Sequence, residues 1–139
     1  MFKQIDLNGE NGSSVIDLSK PMEINEQYDL VTDFGTSEHV EKSLYNCWAN
    51  KFNLCKTGGF ILSENPKTGN WKGHGFHYYT LEFYEKLAEV CPSLELLFVG
   101  ETPAHGNSID GWNVYCLFRK VGESWISAEQ FKTLDIRKK

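Results

Sequence analysis

The alternation of apolar and polar positions predicts three strands in the first quarter of the chain. Two short apolar segments, residues 2–7 and 14–18, are separated by a turn-forming stretch rich in Asn and Gly. Residues 28–34 carry apolar side chains on both faces, which is typical of a strand in the middle of a parallel sheet. We therefore expect two brief strands followed by a central one.

The next segment predicts a helix, a buried strand and a long loop. Apolar residues from Val40 to Cys55 recur on one helical stripe, which predicts a helix over residues 40–56 that ends at Thr57-Gly58-Gly59. Residues 60–65 indicate a buried strand. The polar, glycine-rich stretch 66–75 is a loop, and a loop of this length inside a compact domain favours a functional role.

The last part of the chain predicts a second helix and a pair of strands. Thr80 precedes a helical pattern over residues 81–90 and is placed to cap it, with Tyr79 and Tyr84 spaced as a hydrophobic staple. The strand-like runs 94–102 and 112–121 have no helical pattern between them, so we expect them to pair antiparallel. A short helix capped by Ser127 and a basic tail follow.

Composition limits the size of the protein and its partners. A chain of 139 residues, 40% hydrophobic, is long enough for one core, so we expect a single domain with a core over residues 2–121 and a C-terminal extension over 122–139. The net charge of −5 argues against nucleic acid and anionic membrane as partners. The four cysteines form no CxxC pair and no signal peptide is evident, which predicts a reduced, cytoplasmic protein.

Four segments carry a resemblance to a known family. Residues 54–62, Leu-Cys-Lys-Thr-Gly-Gly-Phe-Ile-Leu, resemble a Leu-Lys-Pro-Gly-Gly element before a fifth strand. Residues 28–35 resemble the fourth strand, residues 37–40 the Glu-His-Val turn after it, and residues 77–88 the helix before the sixth strand. In this order they make the chain similar to class I S-adenosylmethionine-dependent methyltransferases. The resemblance implies a Rossmann-like α/β fold with a mostly parallel sheet and a C-terminal antiparallel hairpin.

Spacing places the start of this chain at the second strand of that fold. Only 23 residues separate Asp6 from Asp29, although one βαβ unit needs about 30 or more. The resemblance therefore implies an N-terminally truncated form that lacks the first strand and the glycine-rich cofactor loop. Unpaired strand edges would result, and these favour a homodimer joined through its sheets.

The resemblance also implies site residues and a reaction. The cofactor is S-adenosylmethionine, and the reaction is methyl transfer to a small-molecule oxygen or nitrogen. The ribose hydroxyls are expected at Asp6 and the adenine near Asp17. The full expected set is Glu38 and His39 as catalytic residues, Asp6, Asp17, Asp33 and Gly35 as cofactor contacts, and Glu64, Asn65, His74, His77 and Tyr78 as substrate contacts, without a metal.

Other interpretations of the same residues remain open. The chain could be a catalytically inactive interaction domain, and Asp6 and Asp17 could be turn-forming residues. The loop residues Glu64, His74 and His77, with the further pair Glu38-His39, offer enough ligands to bind zinc or iron instead, in a small metal-dependent hydrolase. Residues 103–107, between the last two strands, could form part of an acceptor rim. Cofactor binding and metal content separate these alternatives.

Overall fold

The computed structural model describes residues 2–103, 111–134 and 136–138. Its helices and strands, in chain order, are β1 (Ile5–Asp6), β2 (Ser14–Val15), β3 (Tyr28–Phe34), α1 (Leu44–Leu54), β4 (Cys55–Pro66), β5 (His77–Tyr78), α2 (Leu81–Val90), β6 (Leu94–Pro103), β7 (Trp112–Lys120), α3 (Ala128–Lys132) and β8 (Arg137–Lys138). Two 3₁₀ turns lie at Glu10–Gly12 and Ser37–His39.

Four strands form the main sheet, in the order β3-β4-β7-β6. Strands β3 and β4 are parallel, because helix α1 carries the chain back between them. Strand β7 is antiparallel to both β4 and β6. Helices α1 and α2 bury Trp48 and Phe83 in a core that also contains Phe118 of β7. The core therefore lies between the helices and one face of a mixed sheet.

The prediction of a mostly parallel Rossmann-like sheet is wrong, and so is the assignment to class I methyltransferases. Two of the three strand pairs in the four-stranded sheet are antiparallel. Strands β1 and β2, expected as the second and third strands of that sheet, have two residues each and form a separate parallel pair. Local patterns identified six strands and missed the short strands β5 and β8, and pairing depends on contacts between distant segments that no local pattern contains.

The prediction that residues 28–34 form a central strand is also wrong. Among the described residues, β3 pairs with β4 alone and lies at an edge of the sheet. Its apolar residues Leu30 and Phe34 are 53% and 59% exposed, whereas Asp33 on the opposite face is buried. The apolar pattern on both faces thus reflects an uncovered sheet face and not a second buried one.

Helix boundaries follow capping residues. Helix α1 begins at Leu44, four residues later than predicted, because the Ser43 side chain accepts a hydrogen bond from the Asn46 backbone N–H. Helix α2 begins where predicted: Thr80 accepts from the Phe83 backbone N–H. The staple is present, since the Tyr79 and Tyr84 rings stack with centroids 5.6 Å apart.

Part of the C-terminal segment packs into the core. Helix α3 has the predicted Ser127 cap in a capping box with Gln130. Side chains on both sides of this cap, Ile126, Phe131 and Leu134, are buried with the main core cluster. The predicted acceptor rim at residues 103–107 lies outside the described residues from position 104 onward. No helix among the described residues is long and apolar enough to cross a membrane.

A buried ion pair joins helix α1 to the end of strand β3. The Lys51 Nζ lies 2.8 Å from Asp33 Oδ2, and both side chains are at most 5% exposed. The same ammonium group donates to Ser63 Oγ and lies 3.2 Å from the centroid of the Trp48 ring. Burial acts to raise the pKa of Asp33, but the Lys51 charge and the hydrogen bonds from Ser37 hold that pKa below its ordinary value of 3.8.

Replacement of Asp33 should show how much the fold depends on this pair. Asp33→Asn leaves the Lys51 ammonium buried without its counter-charge, which is expected to lower the free energy of unfolding by about 3–5 kcal/mol. Urea denaturation followed by tryptophan fluorescence measures this change. The matched control is Asp29→Asn, since Asp29 is 88% exposed and pairs with Lys56 at the surface. That control should cost less than about 1 kcal/mol.

The effect of Asp33→Asn should also depend on pH. The folded-state pKa of Asp33 lies below 3.8, so its stabilisation is present above that pH and is lost as the pH falls through the folded-state pKa. The difference in unfolding free energy between the wild type and Asp33→Asn should therefore stay constant near neutrality and shrink in acid below pH 3.8. A difference that grew in acid would contradict the assignment of the pair.

Candidate functional site

The candidate site lies where β3 and β4 end on the same side of the sheet. The chain leaves β3 at Gly35, whose φ of +71° favours glycine, and then forms the Ser37–His39 turn. Asp33 Oδ1 accepts hydrogen bonds from the backbone N–H groups of Thr36 and Ser37, at 3.0 and 3.2 Å. The buried carboxylate that pairs with Lys51 therefore also positions the turn.

A single side-chain amide connects this turn to β4 and α2. The Asn65 Nδ2 lies 3.1 Å from Ser37 Oγ, 3.2 Å from Glu38 Oε2 and 3.3 Å from Asp33 Oδ2. Its Oδ1 accepts from the Tyr84 hydroxyl at 2.9 Å. Because one amide contacts two carboxylates and two hydroxyls, it fixes the orientation of the Glu38 carboxylate.

The Glu38 carboxylate is buried with one oxygen unsatisfied. Its side chain is 1% exposed, and Oε1 has no hydrogen-bond partner among the described residues. The 66–75 loop and the residue after it pack directly on Glu38. The Phe76 N–H donates to the backbone carbonyl oxygen of Glu38, and a Cβ added at Gly75 would lie 3.0 Å from the same carbonyl oxygen. Burial raises the pKa of the Glu38 carboxyl, and the nearby Asp33 charge raises it further.

Two imidazole groups converge on the unsatisfied oxygen. The Nε2 atoms of His39 and His74 lie 3.7 and 3.6 Å from Glu38 Oε1. The two rings contact each other, with centroids 4.8 Å apart, and their side chains are 46% and 40% exposed. The Trp71 ring packs on the His74 ring with centroids 5.1 Å apart. The Trp71 backbone has a φ of +53°. The loop thus holds His74 against Glu38.

Two cavities meet at this cluster. One, of about 490 Å³, is lined by apolar side chains and by polar ones that include Asp6, Asp17, Glu41 and Lys42. The other, of about 360 Å³, is lined by Phe34, Glu38, Glu64, Asn65, Pro66, Trp71, His74 and Asn113. Both cavities are also lined by Gly35 and His39. His39 therefore lies at the wall of both cavities.

The structure brings most of the sequence-predicted site residues to these cavities. Asp6 and Asp17 line the first cavity, and Glu64, Asn65 and His74 line the second with Glu38. The remaining predicted residues make protein contacts: Asp33 pairs with Lys51, a ring nitrogen of His77 lies 2.8 Å from Val40 O, and the Tyr78 hydroxyl donates to Trp71 O.

The grouping of titratable residues differs from the predicted loop cluster. The sequence placed His74 with His77 and Glu64 as possible metal ligands. Among the described residues, the group close enough to bind one ion is Glu38, His39 and His74. The adjacent pair Glu38-His39 reaches the loop only because the 3₁₀ turn folds back under Gly75. Such a contact between distant segments is not visible in spacing.

Two residues of the site, Asn113 and Lys51, escaped sequence analysis. Asn113 lines the second cavity with Trp71, and Asn113 Nδ2 donates to Glu64 Oε1 at 2.9 Å. Lys51 holds Asp33. A signal for Lys51 existed, because it falls four residues after Cys47 and three after Trp48, on the buried stripe of α1. A charge on an apolar stripe indicates a buried partner.

Comparison with known proteins adds no relative to this picture. The chain matches no protein-family model and no curated protein. A methyltransferase assignment therefore has no family or homologue evidence behind it, and the chemistry must be argued from the geometry of the site.

The Asn65 amide should be essential for the folded site. Asn65→Leu removes the donor to Glu38 and Ser37 and leaves the buried Tyr84 hydroxyl unpaired, so we expect a loss of about 2–4 kcal/mol of unfolding free energy. Asn53→Leu, at an exposed position of α1, is the control and should change stability by less than about 0.5 kcal/mol. Urea denaturation of the two variants side by side measures both, and equal costs would contradict the role of Asn65.

Proposed function

We propose that this protein transfers a group between two small molecules, and that the reaction is methyl transfer from S-adenosylmethionine to an oxygen or nitrogen of an acceptor. The observation that carries the proposal is the pair of adjoining cavities that share Gly35 and His39. A group-transfer reaction needs a donor and an acceptor held in contact, and two cavities that meet at one point suit that requirement. The two cavities support transfer between two small molecules, and the choice of S-adenosylmethionine as the donor comes from the sequence expectation.

The larger cavity has the properties of the donor site. Its volume of about 490 Å³ is in the usual range for a small-molecule pocket. Asp6 and Asp17 offer carboxylates to the ribose hydroxyls and the adenine amino group, and the cavity's apolar side chains suit the adenine ring. Hydrogen bonds from Ser19 lower the pKa of Asp17, which keeps this carboxylate ionised at neutral pH. Negative charge in this cavity favours a cationic sulfonium donor.

The smaller cavity has the properties of the acceptor site. Trp71 offers an aromatic surface, and Glu64 and Asn113 offer polar groups to a small acceptor. The acceptor oxygen or nitrogen would attack the methyl carbon as the carbon–sulfur bond breaks, leaving S-adenosylhomocysteine. The acceptor proton would pass to the His39 imidazole, whose Nε2 lies 3.7 Å from the Glu38 carboxylate. Most of the rate acceleration would come from alignment of the two reactants.

A second candidate is a binding role without catalysis. The specific observation in its favour is edge strand β3, which pairs on one side only among the described residues and exposes Leu30 and Phe34. An open strand edge beside an exposed apolar face favours pairing with another chain, including a second copy of this one. In this binding role, Asp6 and Asp17 in the larger cavity would have no specific function.

Calorimetric titration with S-adenosylhomocysteine separates the two candidates. We expect micromolar binding to the tag-free chain in the presence of a chelator, weakened at least about tenfold in Asp17→Ala, because loss of a charged hydrogen-bond partner costs more than 1.4 kcal/mol. Asp29→Ala is the matched control, since Asp29 is exposed, pairs with Lys56 and lies outside the linings of both cavities. Its affinity should equal that of the wild type.

Two results would overturn methyl transfer. One is the absence of heat at millimolar ligand, and the other is equal weakening by Asp17→Ala and Asp29→Ala. Light scattering during size exclusion then tests the binding role. A mass of twice 15.9 kDa that falls to 15.9 kDa in Leu30→Glu would support pairing through β3.

A further inference from the structure

We infer that Glu38, His39 and His74 form a binding site for a single divalent transition metal, with zinc as the ion that suits it best. The inference goes beyond methyl transfer and does not depend on it. One ligand atom from each residue lies within 4.8 Å of the others. Two imidazole nitrogens and one carboxylate oxygen are a ligand set typical of catalytic zinc sites.

The distances suit a tetrahedral ion. Zinc binds imidazole nitrogen and carboxylate oxygen at about 2.0–2.2 Å, so two ligands at a tetrahedral angle lie about 3.4 Å apart. The Glu38 Oε1 to Nε2 distances are 3.7 Å for His39 and 3.6 Å for His74. Both exceed direct hydrogen-bond length and come close to the separation across a shared ion. The two imidazole nitrogens lie within 4.8 Å of each other, so the partly exposed rings would move toward each other as they close on the ion.

The Glu38 carboxylate provides an independent reason for a cation. Its Oε1 is buried and has no hydrogen-bond partner among the described residues, which is costly for a charged oxygen. The nearby ammonium of Lys51 does not satisfy it, because that group is paired with Asp33. Asn65 holds the other oxygen, Oε2, and so directs Oε1 toward the two imidazoles. A bound cation would complete this arrangement.

The set of ligands and the cavity define what the metal would do. Oxygen-only sites suit calcium and magnesium, whereas two imidazoles favour zinc and its neighbours. Glu64 is not needed as a ligand, since its Oε1 accepts from Asn113. The two imidazoles are partly exposed at the wall of the 360 Å³ cavity, so the fourth position would face that cavity. The ion would bind water or an oxygen-bearing small molecule there and lower the pKa of that oxygen.

Metal titration of the tag-free, chelator-stripped chain tests the inference. We expect one equivalent of Zn²⁺ by calorimetry, and Co²⁺ absorption bands of a four-coordinate site with imidazole ligands. His74→Ala should weaken Zn²⁺ binding at least about tenfold. Because the His74 side chain is 40% exposed, this variant should remain folded, which an unchanged melting temperature without metal would verify. At one fixed Zn²⁺ concentration, the melting temperature should rise less for His74→Ala than for the wild type.

The matched control is Glu41→Gln, which removes an exposed carboxylate three residues from Glu38. This control should bind Zn²⁺ as the wild type does. The inference is overturned if the wild type shows no saturable binding up to millimolar Zn²⁺, or if His74→Ala binds as tightly as the wild type. The titration contains no S-adenosylhomocysteine, and the earlier one contains a chelator, so failure of either proposal leaves the other to its own test.

Discussion

The buried pair of Asp33 and Lys51 is the interaction on which the rest of the structure depends. It connects helix α1 to the end of β3, and its carboxylate also holds the backbone of the following turn. The Ser37 hydroxyl in that turn bonds to Tyr79, which in turn accepts from Trp48 in α1. Because both charges are desolvated, each is tolerable only while the other is present, so the helix, the strand and the turn must form together.

The geometry of the candidate site depends on the Asp33–Lys51 pair. Asn65 bridges the Asp33 and Glu38 carboxylates, and it leaves one oxygen of Glu38 facing the imidazoles of His39 and His74. The site therefore combines a rigid, buried carboxylate with two partly exposed rings at the meeting point of two cavities. Both ligand binding and catalysis require exposed polar groups whose positions are fixed by buried neighbouring side chains.

Predictions from the sequence were confirmed for features that depend on interactions between residues close together in the chain, such as helix caps. Helix α2 begins at Leu81 because the hydroxyl of Thr80, three residues before the Phe83 N–H, can cap it, and that relation is contained in the sequence. Asp6, Asp17 and His39 line one cavity, and their expected roles there stay predictions. The pairing of strands was wrong: β1 and β2 form their own pair, and β3 lies at an edge, although their local patterns resemble those of a parallel sheet.

The sequence by itself determined the approximate positions of six of the eight strands in the described residues, the helices with their caps, and the residue types available for chemistry, because these depend on neighbours within a few positions. Tertiary structure alone decided the mixed sheet, the burial of Lys51 and the contact of His74 with Glu38 in place of His77. These features depend on which distant segments pack together. That choice is made by the summed burial and hydrogen bonding of the whole chain, in which each local signal is a small part.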